Sequence, residues 1–144
     1  MKRVLLFLWQ LPQNLIALFI LALNKKEQKT IKYVYGIKVY FVKKGVFNCG
    51  VSLGDYIILY DLYKYFPHDY LTNTVKHENG HCKQSKYFGW FYLLLVGLPS
   101  VCNNIWDRLF HRKWTNEERE KWYYSRYPEK WADKLGDVKR NENK

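Results

Sequence analysis

The sequence predicts an α+β fold: an apolar N-terminal helix, a small antiparallel β-sheet, a helix carrying two histidines, and short helices towards the C-terminus. Three observations lead there. Residues 4 to 23 carry no charge; Thr30 to Tyr65 is made of short runs rich in Val, Ile, Tyr and Phe, broken by glycine; and the chain from Thr72 onward carries helix signals around His77-Glu78-Asn79-Gly80-His81. A chain of 144 residues can bury one core of this kind. The division expected is a membrane anchor over 1–26, a metal-binding domain over 27–138 and a disordered tail over 139–144.

The apolar run is flanked by Lys2-Arg3 and Lys25-Lys26 and has the length of a membrane span. Gln10, Gln13, Asn14 and Ala17 recur at helical spacing, so the weakly polar positions form one stripe, which must face protein, a second helix or headgroups. Pro12 can kink the segment. No small-x-small cleavage site follows the run, so it is expected to be retained as an anchor, spanning the bilayer or lying in its interface.

Ile31 to Tyr35, Ile37 to Val42 and Gly50 to Tyr60 read as strands, with turns at Gly36, Lys44-Gly45 and Gly54-Asp55. Ser52 to Tyr60 is the last strand before the histidine helix. Beside a metal it can pair with an extended substrate; otherwise it is an ordinary core strand.

Thr72 or Asn73 can cap a helix of about three turns that ends before Gly89. A spacing of four brings His77 and His81 onto one face, where two imidazoles can hold one metal ion, and Glu78 lies beside that face as a general base requires. Gly80 inside a helix costs about 1 kcal/mol against alanine, which close approach of another backbone or of substrate would offset.

Phe88 to Val101, broken by Gly97 and Pro99, is too short to span. With Trp90 and Tyr92 at its start it reads as an interfacial helix, a re-entrant turn or a buried core helix. A basic, aromatic connector follows from Arg108 to Trp114. Thr115-Asn-Glu-Glu118 is a capping box opening a helix to about Tyr127, and Pro128 starts a last short helix ended by Gly136. Residues from Val138 onward read as frayed.

A catalytic zinc takes a third protein ligand and leaves one position open. His111, Glu129, Asp133 and a few exposed acids are the candidates. Glu129 and Asp133 lie four apart on one helical face, so one carboxylate can bind metal while the other accepts the remaining N–H of a ligand histidine, and a cation between them relieves their repulsion.

A helix with H-E-x-x-H followed well downstream by E-x-x-x-D resembles the gluzincin metalloproteases. That resemblance implies a zincin-like fold, Zn²⁺ held by His77, His81 and Glu129, Asp133 orienting the first histidine, and Glu78 as the catalytic base. The wider run of His-Glu-Asn-Gly-His, Gln84-Ser85, Gly97-Leu-Pro-Ser100 and Tyr127 to Gly136 also resembles a group of short bacterial zincin-like proteins, over roughly residues 50 to 140. It departs from that group at Asn79, where an aromatic is expected, and at Asp137, where glycine is expected.

With 24 Lys and Arg against 13 Asp and Glu, the formal charge is +11. The basic residues are scattered and no nucleic-acid fold signature is present, so the partner expected is an anionic membrane surface rather than nucleic acid. Cys49, Cys82 and Cys102 are odd in number and widely spaced, pointing to reduced thiols and a catalytic domain on the cytoplasmic side; Cys82 reads as a packing residue. The activity expected is a membrane-associated, zinc-dependent metallopeptidase acting on protein or peptide, with His111, Tyr123 or Tyr124 as oxyanion stabiliser. The alternative is a catalytically inactive, zinc-stabilised membrane interaction protein. Lys76, Lys83 and Lys86 argue against placing the histidines inside the bilayer.

Overall fold

The computed structural model describes residues 2–24, 29–34, 36–43 and 50–140. Lys25-Lys26, Tyr35, the Lys44-Gly45 turn, Cys49 and the tail from residue 141 lie outside the described residues. The chain is α+β. Helices α1 (Lys2–Trp9) and α2 (Leu11–Leu23) precede strands β1 (Lys29–Val34), β2 (Ile37–Val42), β3 (Gly50–Leu53) and β4 (Tyr56–Tyr60). A 3₁₀ turn, Asp61–Tyr65, leads into α3 (His68–Phe88). A 3₁₀ turn at Gly89–Phe91 and a π-helical turn at Leu93–Gly97 then join α3 to α4 (Leu98–Phe110), followed by α5 (Asn116–Tyr124) and α6 (Glu129–Gly136).

The sheet corrects the expectation of an all-antiparallel arrangement. Its order is β1-β2-β4-β3, with β2 and β4 parallel and the other two pairs antiparallel. The turn expected at Gly54-Asp55 forms, with Gly54 at a φ of +64° that suits glycine, so Gly50 to Tyr60 is a hairpin and Ser52 to Tyr60 is not one strand. The physical reason for the mixed order lies in β4. Ile57, Ile58 and Leu59 are consecutive and all buried, the composition of a strand covered on both faces. β4 therefore takes the inner position, and β3, with Gly50 and Ser52, is left at the edge.

Alternation along the strands divides the core. Val39, Phe41, Ile57 and Leu59 pack against Val75 and Cys82 of α3, while Val42, Leu53 and Ile58 pack against Ala17, Ile20 and Leu21 of α2. The sheet is thus sandwiched between α2 and α3, and α2 belongs to the same core as the strands. Cys82 is a core residue, as its sequence setting implied; burial pushes its thiol up to about 12.

Helix α3 starts five residues earlier than the Thr72 cap predicted and runs for 21 residues. Phe66 is extended before Pro67, as residues preceding proline prefer, and Asp69 then places negative charge in the first turn. Thr72 and Asn73 are carried inside it. Pro128 caps α6 rather than forming its first residue, whereas the capping box at Thr115 and Glu118 forms as expected.

Gln10, Gln13, Asn14 and Ala17 all face protein: each is fully buried. Ser85 donates to Gln10 Oε1 at 2.7 Å, and Gln13 Nε2 donates to Ser85 Oγ and to the Gly89 carbonyl, both at 2.9 Å. α1 and α2 meet at a bend of 87°, and no single helix among the described residues is long and apolar enough to cross a membrane. Val138 and Arg140, read from the sequence as frayed or tail, are tied to α6 and Tyr124. Val138 N–H donates to the Asp133 carbonyl at 3.0 Å, and Arg140, assigned to the tail by sequence, ion-pairs with the Asp133 carboxylate and lies over the Tyr124 ring.

Candidate metal centre

The site lies where α6 crosses α3, and two glycines allow that crossing. A Cβ on Gly80 would sit 2.0 Å from the Ala132 carbonyl oxygen, and one on Gly136 would sit 2.0 Å from the Lys76 carbonyl oxygen. Each helix therefore offers a glycine to the other's backbone. This is the close approach that a glycine inside the histidine helix implied, and it brings the first turn of α6 over the His77–His81 face.

Three donor atoms converge there. His77 Nε2 and His81 Nε2 each lie 3.0 Å from Glu129 Oε2, and all three side chains are buried. Tetrahedral ligands at zinc bond lengths of about 2.0–2.1 Å lie about 3.3 Å apart, close to this spacing. Two imidazoles and one carboxylate are also a donor set suited to zinc. The residues present fit the ion.

The outer nitrogens are held as well. His77 Nδ1 meets Asp133 Oδ1 at 2.6 Å, and His81 Nδ1 meets Gln84 Oε1 at 2.7 Å. Gln84 is itself oriented by donating from Nε2 to the Pro128 carbonyl at 3.0 Å. Both Nδ1–H groups are thereby committed, and both Nε2 atoms are directed at Glu129. The second carboxylate oxygen of Glu129 accepts from the Tyr123 hydroxyl at 3.1 Å, which leaves one oxygen for the shared position.

Burial alone would lower the His77 pKa, but its hydrogen bonds to Asp133 and Glu129 outweigh burial and raise it to about 9. The same histidine contacts hold Glu129 well below the usual carboxylate range although burial acts the other way. In the metal-free protein His77 is therefore charged at neutral pH, and a metal must displace its proton. Zinc titrated into metal-free protein at pH 7 is expected to release close to one proton from His77. Calorimetry in two buffers of different ionisation enthalpy measures it, and the release should vanish above about pH 9. The sign for stability follows. A raised pKa stabilises the metal-free fold fully below 6.5, and that contribution is lost as pH rises through about 9.

Glu78 is buried beside the cluster. The Ser52 hydroxyl sits in hydrogen-bond contact with its carboxylate and 2.8 Å from its carbonyl oxygen. Ser52 is in turn fixed through its own carbonyl, which accepts from Tyr92 at 3.0 Å. Gly50, on the same edge strand, faces Glu78 so closely that a Cβ would lie 2.8 Å from Oε1.

His111, a sequence candidate both for third ligand and for oxyanion stabiliser, is taken up elsewhere. It bonds to Asp107 at 3.2 Å, stacks on Trp114 at 3.8 Å, and closes the junction of α4 and α5 that Arg119 also ties to Asp107. Tyr123 orients Glu129. Tyr124 packs edge-on against His77, with ring centroids 5.1 Å apart. Sequence reasoning assigned no role to Gln84 or Ser52. Gln84 lay within reach, three residues from His81 on one helical face; Ser52 belongs to another element, so no local spacing marked it.

Comparison of the chain with protein-family models, with curated proteins and with solved structures finds no match. The functional reading rests on these residues and their geometry.

Proposed function

We propose that this protein is a zinc-dependent peptidase whose metal is held by His77, His81 and Glu129. The observation that supports this best is the convergence of two histidine Nε2 atoms on one buried carboxylate oxygen, with each Nδ1 held by its own acceptor. A bound zinc supplies a Lewis acid and lowers the pKa of its water towards about 7. The chain's own residues supply the rest. Glu78, oriented by Ser52, takes up a proton during attack and returns it to the leaving amine. β3 is an edge strand that carries Ser52 and Gly50 against Glu78, so an extended peptide added along it would lie beside the general base.

Metal analysis tests the assignment through the two carboxylates of α6. Glu129 meets both Nε2 atoms, whereas Asp133 meets only the outer nitrogen of His77. Glu129→Gln is expected to abolish stoichiometric zinc retention, because three-point coordination is lost. Asp133→Asn should leave a loaded protein whose metal affinity or activity is reduced about 10- to 100-fold. The reverse order would transfer the ligand role to Asp133, and wild-type protein without zinc would end the metal-centre reading.

A further inference from the structure

Helix α2 is inverted relative to a helix of a water-exposed surface. Its polar side chains Gln13 and Asn14 are buried, while Leu15, Phe19 and Leu23 stand 54%, 64% and 57% exposed. No charged residue occurs from Val4 to Asn24. A second stretch repeats this. From Tyr87 to Trp106 there is again no charge, and Phe91, Leu94, Leu98, Ile105 and Trp106 are all more than half exposed.

The two stretches, far apart in sequence, are joined in the fold. Trp90 Nε1 donates to the Leu8 carbonyl at 2.9 Å, and Trp9 Nε1 donates to the Lys86 carbonyl at 3.0 Å. The Trp9 ring fills the space where Gly89, at φ +53°, has no side chain: a Cβ there would lie 2.1 Å from the indole. The partly buried Leu93 packs on the core cluster that α2 shares with the sheet, while its neighbour Leu94 is exposed. An exposed apolar area of this extent marks an interaction surface.

Charge identifies what covers it. Lys2 and Arg3 begin the first stretch, and Arg108, Arg112 and Lys113 follow the second; all five are exposed. Exposed basic residues at the ends of both stretches, on a chain of net charge +11, disfavour a second copy and attract anionic headgroups. Two half-exposed tryptophans with satisfied indole N–H groups at the seam suit the headgroup level. The 13 residues of α2 measure about 20 Å at 1.5 Å per residue, less than the hydrocarbon thickness, and the 87° bend prevents α1 from extending it.

We propose that α1–α2 and the 87–106 stretch form one two-limbed foot that inserts into a single leaflet of an anionic bilayer without crossing it. The proposal does not depend on the metal site, and its test reads lipid binding alone. Full-length protein is mixed with preformed vesicles of phosphatidylcholine containing phosphatidylglycerol and floated on a density gradient. Wild type should float, at least about 10-fold more strongly than with phosphatidylcholine alone at low salt. Leu15→Asp/Phe19→Asp on one limb and Leu98→Asp/Ile105→Asp on the other should each reduce flotation at least about 10-fold, with circular dichroism melting showing that the variants are folded. Loss in only one pair would overturn the joint foot, and a lipid-independent dimer that these substitutions dissociate would assign the face to a second copy.

Topology is read separately with Cys49→Ser/Cys102→Ser protein bearing Lys2→Cys or Lys130→Cys. Cys82 is buried in the core, out of reach of a bulky reagent, so an impermeant maleimide added outside the vesicles reports only the new cysteine. Both positions should label. Protection of Lys2→Cys with labelling of Lys130→Cys would mean that the bent pair crosses, and would overturn single-leaflet insertion.

Discussion

Glu78→Gln is expected to reduce peptide hydrolysis by about 10²- to 10⁴-fold, the range supplied by a positioned general base, with zinc content unchanged. The substitution keeps the side chain's shape and an oxygen that can accept from Ser52. Glu78 is outside the converging donor set of His77, His81 and Glu129, so removing its charge should leave the metal in place. The loss should appear in kcat, since Glu78 acts on the proton being transferred rather than on substrate binding. Hydrolysis assayed alongside elemental analysis decides it. A variant with wild-type turnover would remove Glu78 from the chemistry, and the zinc-stabilised interaction protein would then be the better reading.

The second large effect is expected from a single methyl group. Gly80→Ala places a Cβ 2.0 Å from the Ala132 carbonyl oxygen, an obstruction made of backbone that no rotamer change can clear. α6 must move away from α3. Overpacking of this kind costs about 1–3 kcal/mol, occasionally more. Its larger expected consequence is at the proposed metal site, because the three candidate ligands come from both helices and a shift of about 1 Å would spoil three-point coordination. Gly80→Ala is therefore expected to lose stoichiometric zinc and lower the melting temperature. Gly136→Ala should do the same from the other side, against the Lys76 carbonyl. Gly97→Ala is the control: its nearest neighbour would be a Leu93 methyl at 3.7 Å, an ordinary contact. Equal zinc content in all three variants would mean that the helix crossing does not set the ligand geometry.

Much of the site was legible because its information is local. His77 and His81 reveal a shared face through a spacing of four, Glu129 and Asp133 do the same, and Gly80 marks a close approach by being costly where it stands. The Gln10–Gln13–Asn14–Ala17 stripe likewise marked one face of the helix, though its spacing left open whether protein, a second helix or headgroups would meet it, and it is protein that does. What was not legible depends on distant partners. Nothing near β2 states that it will pair in parallel with β4, because that choice is made by Ile57, Ile58 and Leu59 needing cover on both faces. The start of α3 at His68 was hidden because Thr72 and Asn73 have strong capping character, which Pro67 and tertiary packing override. Ser52 meets Glu78 across 26 positions and Arg140 meets Asp133 from beyond the expected boundary, so neither leaves a periodic trace.

The crossing of α6 over α3 also sets an order in time. His81 and Glu129 are 48 positions apart, with α4 and α5 between them in the chain. During synthesis, at about 5–20 residues per second, both histidines are made seconds before their carboxylate partner exists. An incomplete chain holds a two-histidine helix that grips metal weakly and has no enclosed site. On the proposed reading, the third ligand would arrive only with the docked helix, so metal binding and any activity that depends on it would follow closure of the fold.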